Sequence, residues 1–409
     1  MTPASAVAAN FEPECRAAID SLRAALVDLY ASVGADPAGP QDVARRFGIN
    51  KTLAWNVCKV ITSRDALACI PNLPGSSAFQ SLFSAMEADG ADAGLLGRAR
   101  DAVQAVSATV ARHAGDRATL DLIVDGISPE RDDYLEHSRR LAFRGNSGLL
   151  GVQAKLRLMT VFLTPSSTHS GRLDIAMSRG YVGLRRLRTD VRWPVFQLRS
   201  WGNEPSVAED SAWQPIDPQP AESRAPLLRD FSSVGPTDLV VERTRHGTNH
   251  LLAPGPIGNV GAVDCFLADA ARGAAPRYRT GADTTGEFGV TISAPTERLV
   301  FDLYAHEELD FVLQAEPRAF MGIFMDPSEE PVPEGGLPLP VPKAVSPLPG
   351  SPPACAIAAF PRYGKLIQHV AAQMEWDLRS FRAVRYEVSF PPLGSTILLR
   401  FQLPDAGPR

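Results

Sequence analysis

No stretch of the 409-residue chain is apolar over anything near the ~20 residues a helix needs to cross a bilayer, so no membrane span is expected. The opening segment, MTPASAVAANFEPEC, has neither a basic start nor an apolar block, which argues against a secretory signal. Cysteine is scarce: five residues, at 15, 58, 69, 265 and 355, with no CxxC pair among them. That count and spacing exclude a zinc knuckle and a disulfide framework and fit a reduced cytoplasm. Phosphate-cradling loops are missing as well; neither GxxxxGK followed by Ser or Thr nor GxGxxG occurs, and no serine has the GxSxG spacing of a nucleophile elbow. No cofactor is therefore expected.

What is present is an ordinary globular composition, 44% hydrophobic and 21% charged, long enough for two or three domains with a sizeable core. The net charge of −5 is unevenly spread. Residues 1–138 hold 12 basic and 18 acidic side chains, residues 139–200 hold 12 basic and 2 acidic, and residues 201–409 hold 17 basic and 26 acidic. A basic island thus lies between acidic flanks, and the acidic remainder is no general nucleic-acid coat.

The first third has helical periodicity. In Glu14 to Val33 the apolar residues Ile19, Leu22, Leu26 and Leu29 are three or four apart. Ser77 to Ala88 and Leu95 to His113 repeat the pattern, and Ser128-Pro129 suits the start of a helix running to Phe143. At NSGLLG glycines interrupt, and beyond it AKLRLMTVFLT alternates as a half-buried strand does. GRLDIAMSRGYVGLRRLRTDVRW predicts two or three strands. TDLVVERT, GEFGVTISA, ERLVFDLYA, LDFVLQA and AFMGIFM predict five more, and a helix near 361–376 precedes AVRYEVSF and STILLRFQL. Two proline-rich stretches, at about 208–236 and 327–353, predict exposed loops; the second has ten prolines in 27 positions. The expected fold is α+β: a helical domain, residues 1–144, followed by a larger, mainly antiparallel β body with a few helices, residues 145–409.

The most informative stretch is GPQDVARRFGINKTLAWNVCKVITSR, residues 39–64. Val43, Ala44 and Phe47 share one helical face, and Ala44 is small enough to let a second helix approach. Gly48 suits the left-handed residue of a C-cap, Ile49 plugs the turn, and Asn50 suits an N-cap. In the second helix Leu53, Val57, Val60 and Ile61 lie within a third of the circumference, opposite Lys51, Thr52, Trp55, Asn56 and Lys59. VARRFGINKTLAWNV resembles the helix-turn-helix family of bacterial transcription regulators, with Ala44, Gly48, Ile49, Ala54 and Val57 in the family's small, glycine and apolar slots. Ala54 stands where valine or isoleucine is usual, Trp55 is bulky for a groove-facing slot, and no β-hairpin wing follows Arg64. The resemblance implies that residues 40–64 dock on double-stranded DNA. Asn50, Lys51, Thr52, Trp55 and Asn56 would meet base edges, and Arg45, Arg46, Lys59 and Arg64 would meet phosphates. A single short reader binds weakly, so a homodimer on paired half-sites is expected. The β body would then bind an unknown ligand or protein partner. The competing reading is a helical pair for oligomerisation or docking in a structural protein, with Trp55 buried.

Within the basic island, Lys155 and Arg157 share one strand face and Arg186, Arg188 and Arg192 share another, with Tyr181, Trp193, Phe196 and Trp201 interleaved. This is either a second basic strip for a nucleic-acid backbone or a sheet face whose arginines pair with acidic side chains elsewhere in the chain. Two histidine-bearing stretches were weighed for chemistry. RTRHGTNH places His246 and His250 four apart, but Gly247, Thr248 and Asn249 favour a turn over a metal-binding helix. DLYAHEELD gathers Asp302, His306, Glu307, Glu308 and Asp310 with Asp310 where HExxH needs histidine, which predicts an acidic turn. No catalytic or metal-ligating residue is expected.

Overall fold

Apolar side chains recur at helical spacing throughout the first third, and they build helices there without interruption by strands. The computed structural model describes residues 3–127, 131–199, 213–219, 226–234, 239–244, 247–281, 284–321 and 336–406. Helix α1 spans Pro3–Ser32, α2 Pro40–Arg46, α3 Lys51–Thr62, α4 Ser76–Ala88, α5 Ala93–His113 and α6 Arg117–Ile127, with a 3-10 turn at Leu67–Asn72 between α3 and α4. Leu22, Leu26 and Leu29 of α1 meet Val57 and Val60 of α3, Phe79 and Leu82 of α4 and Leu96 of α5 in one buried core. A fully buried side chain of this kind contributes about 1.5–3 kcal/mol, so this core alone gives the helices a reason to associate.

The chain forms two compact units, residues 1–135 and 136–409. The boundary differs from the break expected at 144/145. Helix α7, Arg131–Leu150, runs straight through Gly145 and Gly148, because Phe143 packs at a tilt against Phe390, with ring centroids 5.4 Å apart, and Arg139 donates to the Ser389 carbonyl at 3.1 Å. Packing of that face outweighs the low helical propensity of glycine. The cap expected at Ser128-Pro129 lies outside the described residues.

The second unit is built on a seven-stranded sheet. Its strands are β1 Val152–Pro165, β2 Arg172–Arg186, β4 Gln214–Pro215, β7 Val263–Pro276, β9 Thr296–His306, β12 Ser346–Leu348 and β13 Phe381–Ser389, in the order β12-β13-β9-β1-β2-β7-β4. All neighbours are antiparallel except the central pair β1 and β9, which run parallel. A four-stranded sheet is formed by β8 Thr285–Thr291, β10 Glu316–Met321, β11 Leu337–Pro338 and β14 Ser395–Gln402. A three-stranded sheet is formed by β3 Trp193–Arg199, β5 Leu239–Thr244 and β6 Gly247–Leu252. The α+β class expected from the sequence is therefore the one observed.

Strand β1 does not alternate between core and solvent as expected. Residues 156–164 are buried without exception. Leu156, Leu158 and Phe162 pack with helix α8, Tyr363–Gln373, whereas Met159, Val161 and Leu163 pack with Ile397, Leu399 and Phe401 of β14. A strand covered on both faces loses the solvent-facing half of its pattern. Other expectations are corrected likewise. GRLDIAMSRGYVGLRR is one long strand, bent at a bulge where Gly183 takes φ +58 and donates to Asp264 at 2.9 Å. LDFVLQA falls in a 3-10 segment, Glu307–Gln314, with Leu309 and Val312 buried. The described parts of 208–236 are not surface loop: Ile216, Leu227, Leu228 and Phe231 are buried. Part of the proline-rich 327–353 stretch forms β11 and β12, both at sheet edges, where a missing N–H leaves no ladder bond unmade. No helix among the described residues is long and apolar enough to cross a membrane.

Candidate nucleic-acid interface

The turn between α2 and α3 follows from two residues. Gly48 adopts φ +63, and the Ile49 N–H reaches back to the Ala44 carbonyl at 3.1 Å, closing a Schellman end on α2. Asn50 then takes an extended conformation and its side-chain oxygen accepts the Thr52 N–H at 2.7 Å, capping α3. Both roles were expected from the sequence.

Helix α3 buries Ala54, Val57, Val60 and Ile61. Leu53, expected in the core, is half-buried, and Ala54 takes the central position because its small side chain lets the helix sit close to its neighbours. On the far side Lys51, Trp55 and Lys59 form a row at i, i+4 and i+8, flanked by Thr52. All four are exposed, and the Trp55 indole retains 48% of its accessible surface. Asn56 sits on the flank of this face and is half-buried. The Asn50 oxygen is committed to the cap, whereas the bidentate pattern for adenine needs both amide atoms.

The basic residues of this unit divide into two groups. Arg45 pairs with Asp42 at 3.3 Å, and Arg46 pairs with Asp89 at 2.6 Å while lying over the Phe47 ring. Lys51, Lys59 and Arg64 are exposed and have no ion pair among the described residues. A phosphate must displace a carboxylate to reach the first group, whereas the second group is accessible as it stands.

Three polar residues that the sequence did not single out hold α3 in place. Arg23 of α1 donates to the carbonyls of Ile61, at 3.4 Å, and Ser63, where α3 ends. Asp65 accepts the Leu67 N–H at 2.8 Å and a guanidinium N–H of Arg16 at 2.7 Å. The Leu67 bond, followed by Arg16, holds the Asp65 carboxyl below the usual aspartate range. Arg117 grips the carbonyls of Ile70 and Leu73. The Arg23, Arg16 and Arg117 bonds join residues 38 or more positions apart, so no local pattern announces them.

The second basic strip is absent as a surface. Arg157 and Arg186 are buried, the first donating to Gly180 at 3.1 Å with its guanidinium over Tyr181, the second donating to the Ala253 carbonyl. Arg188 and Arg192 follow β2 in a loop, and Lys155 is exposed near one end of β1. Arg179 and Arg185 of the same island pair with Asp269 and Glu297. Layers on both faces of the sheet leave no open strand surface for such a strip.

The catalytic candidates do not assemble either. His246 lies outside the described residues. His250 is fully buried on strand β6, with neither ring nitrogen hydrogen-bonded, and burial lowers its proton affinity. The DLYAHEELD stretch is more than an acidic turn. Asp302 is wholly buried in β9, accepts two bonds from Arg385 at 2.8 Å each, and accepts the Tyr363 hydroxyl at 2.7 Å. Thr160 extends the network, 2.9 Å from the same hydroxyl. It ties β9, β13, α8 and β1 together, with Asp302, Tyr363 and Thr160 buried and Arg385 reaching solvent in part. Ser147 of the glycine-rich segment is buried and donates its hydroxyl to the Phe143 carbonyl at 2.7 Å. Among the described residues no group of histidine, cysteine and carboxylate side chains could hold a metal ion. No protein-family model matches the chain, and a search of curated proteins returns no match.

Proposed function

We propose that the chain is a sequence-reading, double-stranded-DNA-binding protein of the cytoplasm, a transcription regulator whose reading element is α3. The observation that carries this is the outward row Lys51, Trp55 and Lys59, with Thr52 beside it, on a capped helix that follows a glycine turn. A helix so presented fits the major groove, its first turns against base edges and Lys59 and Arg64 toward phosphates. The competing docking role requires Trp55 to be buried, and its 48% exposure favours the reader. One α3 touches few base pairs, so the proposal includes a homodimer on two half-sites.

Enrichment of genomic fragments by the purified chain at two salt concentrations tests this. Affinity should fall steeply with salt, with a log–log slope of about −0.9 per phosphate contacted. Lys59→Ala should reduce that slope by about one, and Lys51→Ala with Asn56→Ala should abolish selective enrichment without altering the circular dichroism spectrum. Salt-insensitive or absent duplex binding would refute the proposal.

A further inference from the structure

The helical unit contains a cleft of about 470 Å³, a volume within the roughly 300–1,000 Å³ of small-molecule sites. Its floor is apolar: Leu22, Phe79, Val106 and Leu120 are all buried. Its rim is polar along one stretch. The hydroxyls of Ser76 and Ser107 lie 3.4 Å apart, at the start of α4, where the N-cap Gly75 offers no side-chain acceptor to the first-turn N–H groups. Among the described residues Arg117 is the one charged residue lining the cleft, and Asp121, outside the lining, pairs with its Nε at 2.9 Å. Its guanidinium makes three hydrogen bonds, to Leu73, Ile70 and Asp121, so two of its five N–H groups remain.

An apolar floor whose lining also holds two neighbouring hydroxyls, the start of a helix and a cation matches a particular ligand chemistry. We propose that the cleft binds a small amphipathic monocarboxylate, its hydrocarbon body over Phe79 and Val106 and its carboxylate at Ser76, Ser107 and Arg117. The rim at residues 73–76 continues the 3-10 turn Leu67–Asn72, which packs against α3 and whose last carbonyls Arg117 grips. A ligand that draws on Arg117 therefore acts on the support of α3 as well. This coupling rests on the DNA-reading proposal; the binding site does not.

Calorimetric titration of the full chain with decanoate, without DNA, tests the site. One decanoate should bind per chain, and decylamine, of reversed charge, at least tenfold more weakly. Ser107→Glu should weaken decanoate at least tenfold, while Ser107→Gln stays within threefold. Ala111→Trp, at an exposed lining position, should block the cleft with the fold intact. Absence of decanoate binding, equal affinity for decylamine, or indifference to both Ser107→Glu and Ala111→Trp would overturn the site. A chain that binds decanoate but no duplex would refute the DNA reading and leave the site standing; a chain that binds duplex but no decanoate would do the reverse.

Discussion

Gly48 has open space around its α-carbon, so a methyl group there would meet no neighbour. Its requirement for glycine comes from backbone conformation alone, and Gly48→Ala should destabilise the helical unit by about 1–2 kcal/mol, read from denaturant unfolding. Gly48→Asn should lose less, because asparagine tolerates the left-handed region. Asp302 presents the opposite case. Tyr363 is buried with it and Arg385 is 11% exposed, so Asp302→Ala removes the main partner of a largely desolvated guanidinium and should destabilise by about 3 kcal/mol. Replacing both residues at once, as Asp302→Leu with Arg385→Met, should recover most of that loss, and a double-mutant cycle measures the difference.

Helix α3 was legible because everything that defines it is local: a glycine before it, a cap at Asn50, and apolar residues at period 3.6 within twelve positions. Strand β1 reads as a strand, but its surroundings do not, because the layers that bury both its faces come from distant parts of the chain, α8 and β14 among them. Distance also hides the fate of Arg157 and Arg186, whose acceptors Gly180 and Ala253 are 23 and 67 positions away. The Leu67–Asn72 turn could not be read at all, since Arg117 and Asp65 hold it from outside. That dependence has a pH signature. The Asp65 carboxyl ionises more readily folded than unfolded. Its contribution is therefore complete above the unfolded value and is lost as pH falls through the folded one, below the usual aspartate range. Thermal melts from pH 7 to pH 3 should show helical-unit stability declining at the acid end, and Asp65→Asn should flatten that limb while lowering stability at neutral pH.

The cores of the two units share no residue: one runs from Phe11 to Val124, and the clusters of the other from Val152 to Leu403. Separate cores predict separate cooperative transitions, so scanning calorimetry should resolve two endotherms. Gly48→Ala should shift one of them and Asp302→Ala the other. A single peak moved by both substitutions would contradict this. With two endotherms resolved, loss of duplex binding in an α3 variant can be assigned to the interface whenever both stay in place.

The parallel pairing of β1 with β9 has a consequence for biosynthesis. The 130 residues from 166 to 295 separate two strands that lie side by side at the middle of the sheet. At about 5–20 residues per second, the ribosome takes on the order of ten seconds to supply the second strand after the first has emerged. The helices ahead of β1 complete their core, the α1–α5 packing included, within residues 1–135 and can fold during that interval, while β1 waits with an oily edge unpaired. Chaperone dependence and inclusion-body formation should therefore track the C-terminal unit, and a nascent chain stalled before residue 296 should already present a folded helical unit.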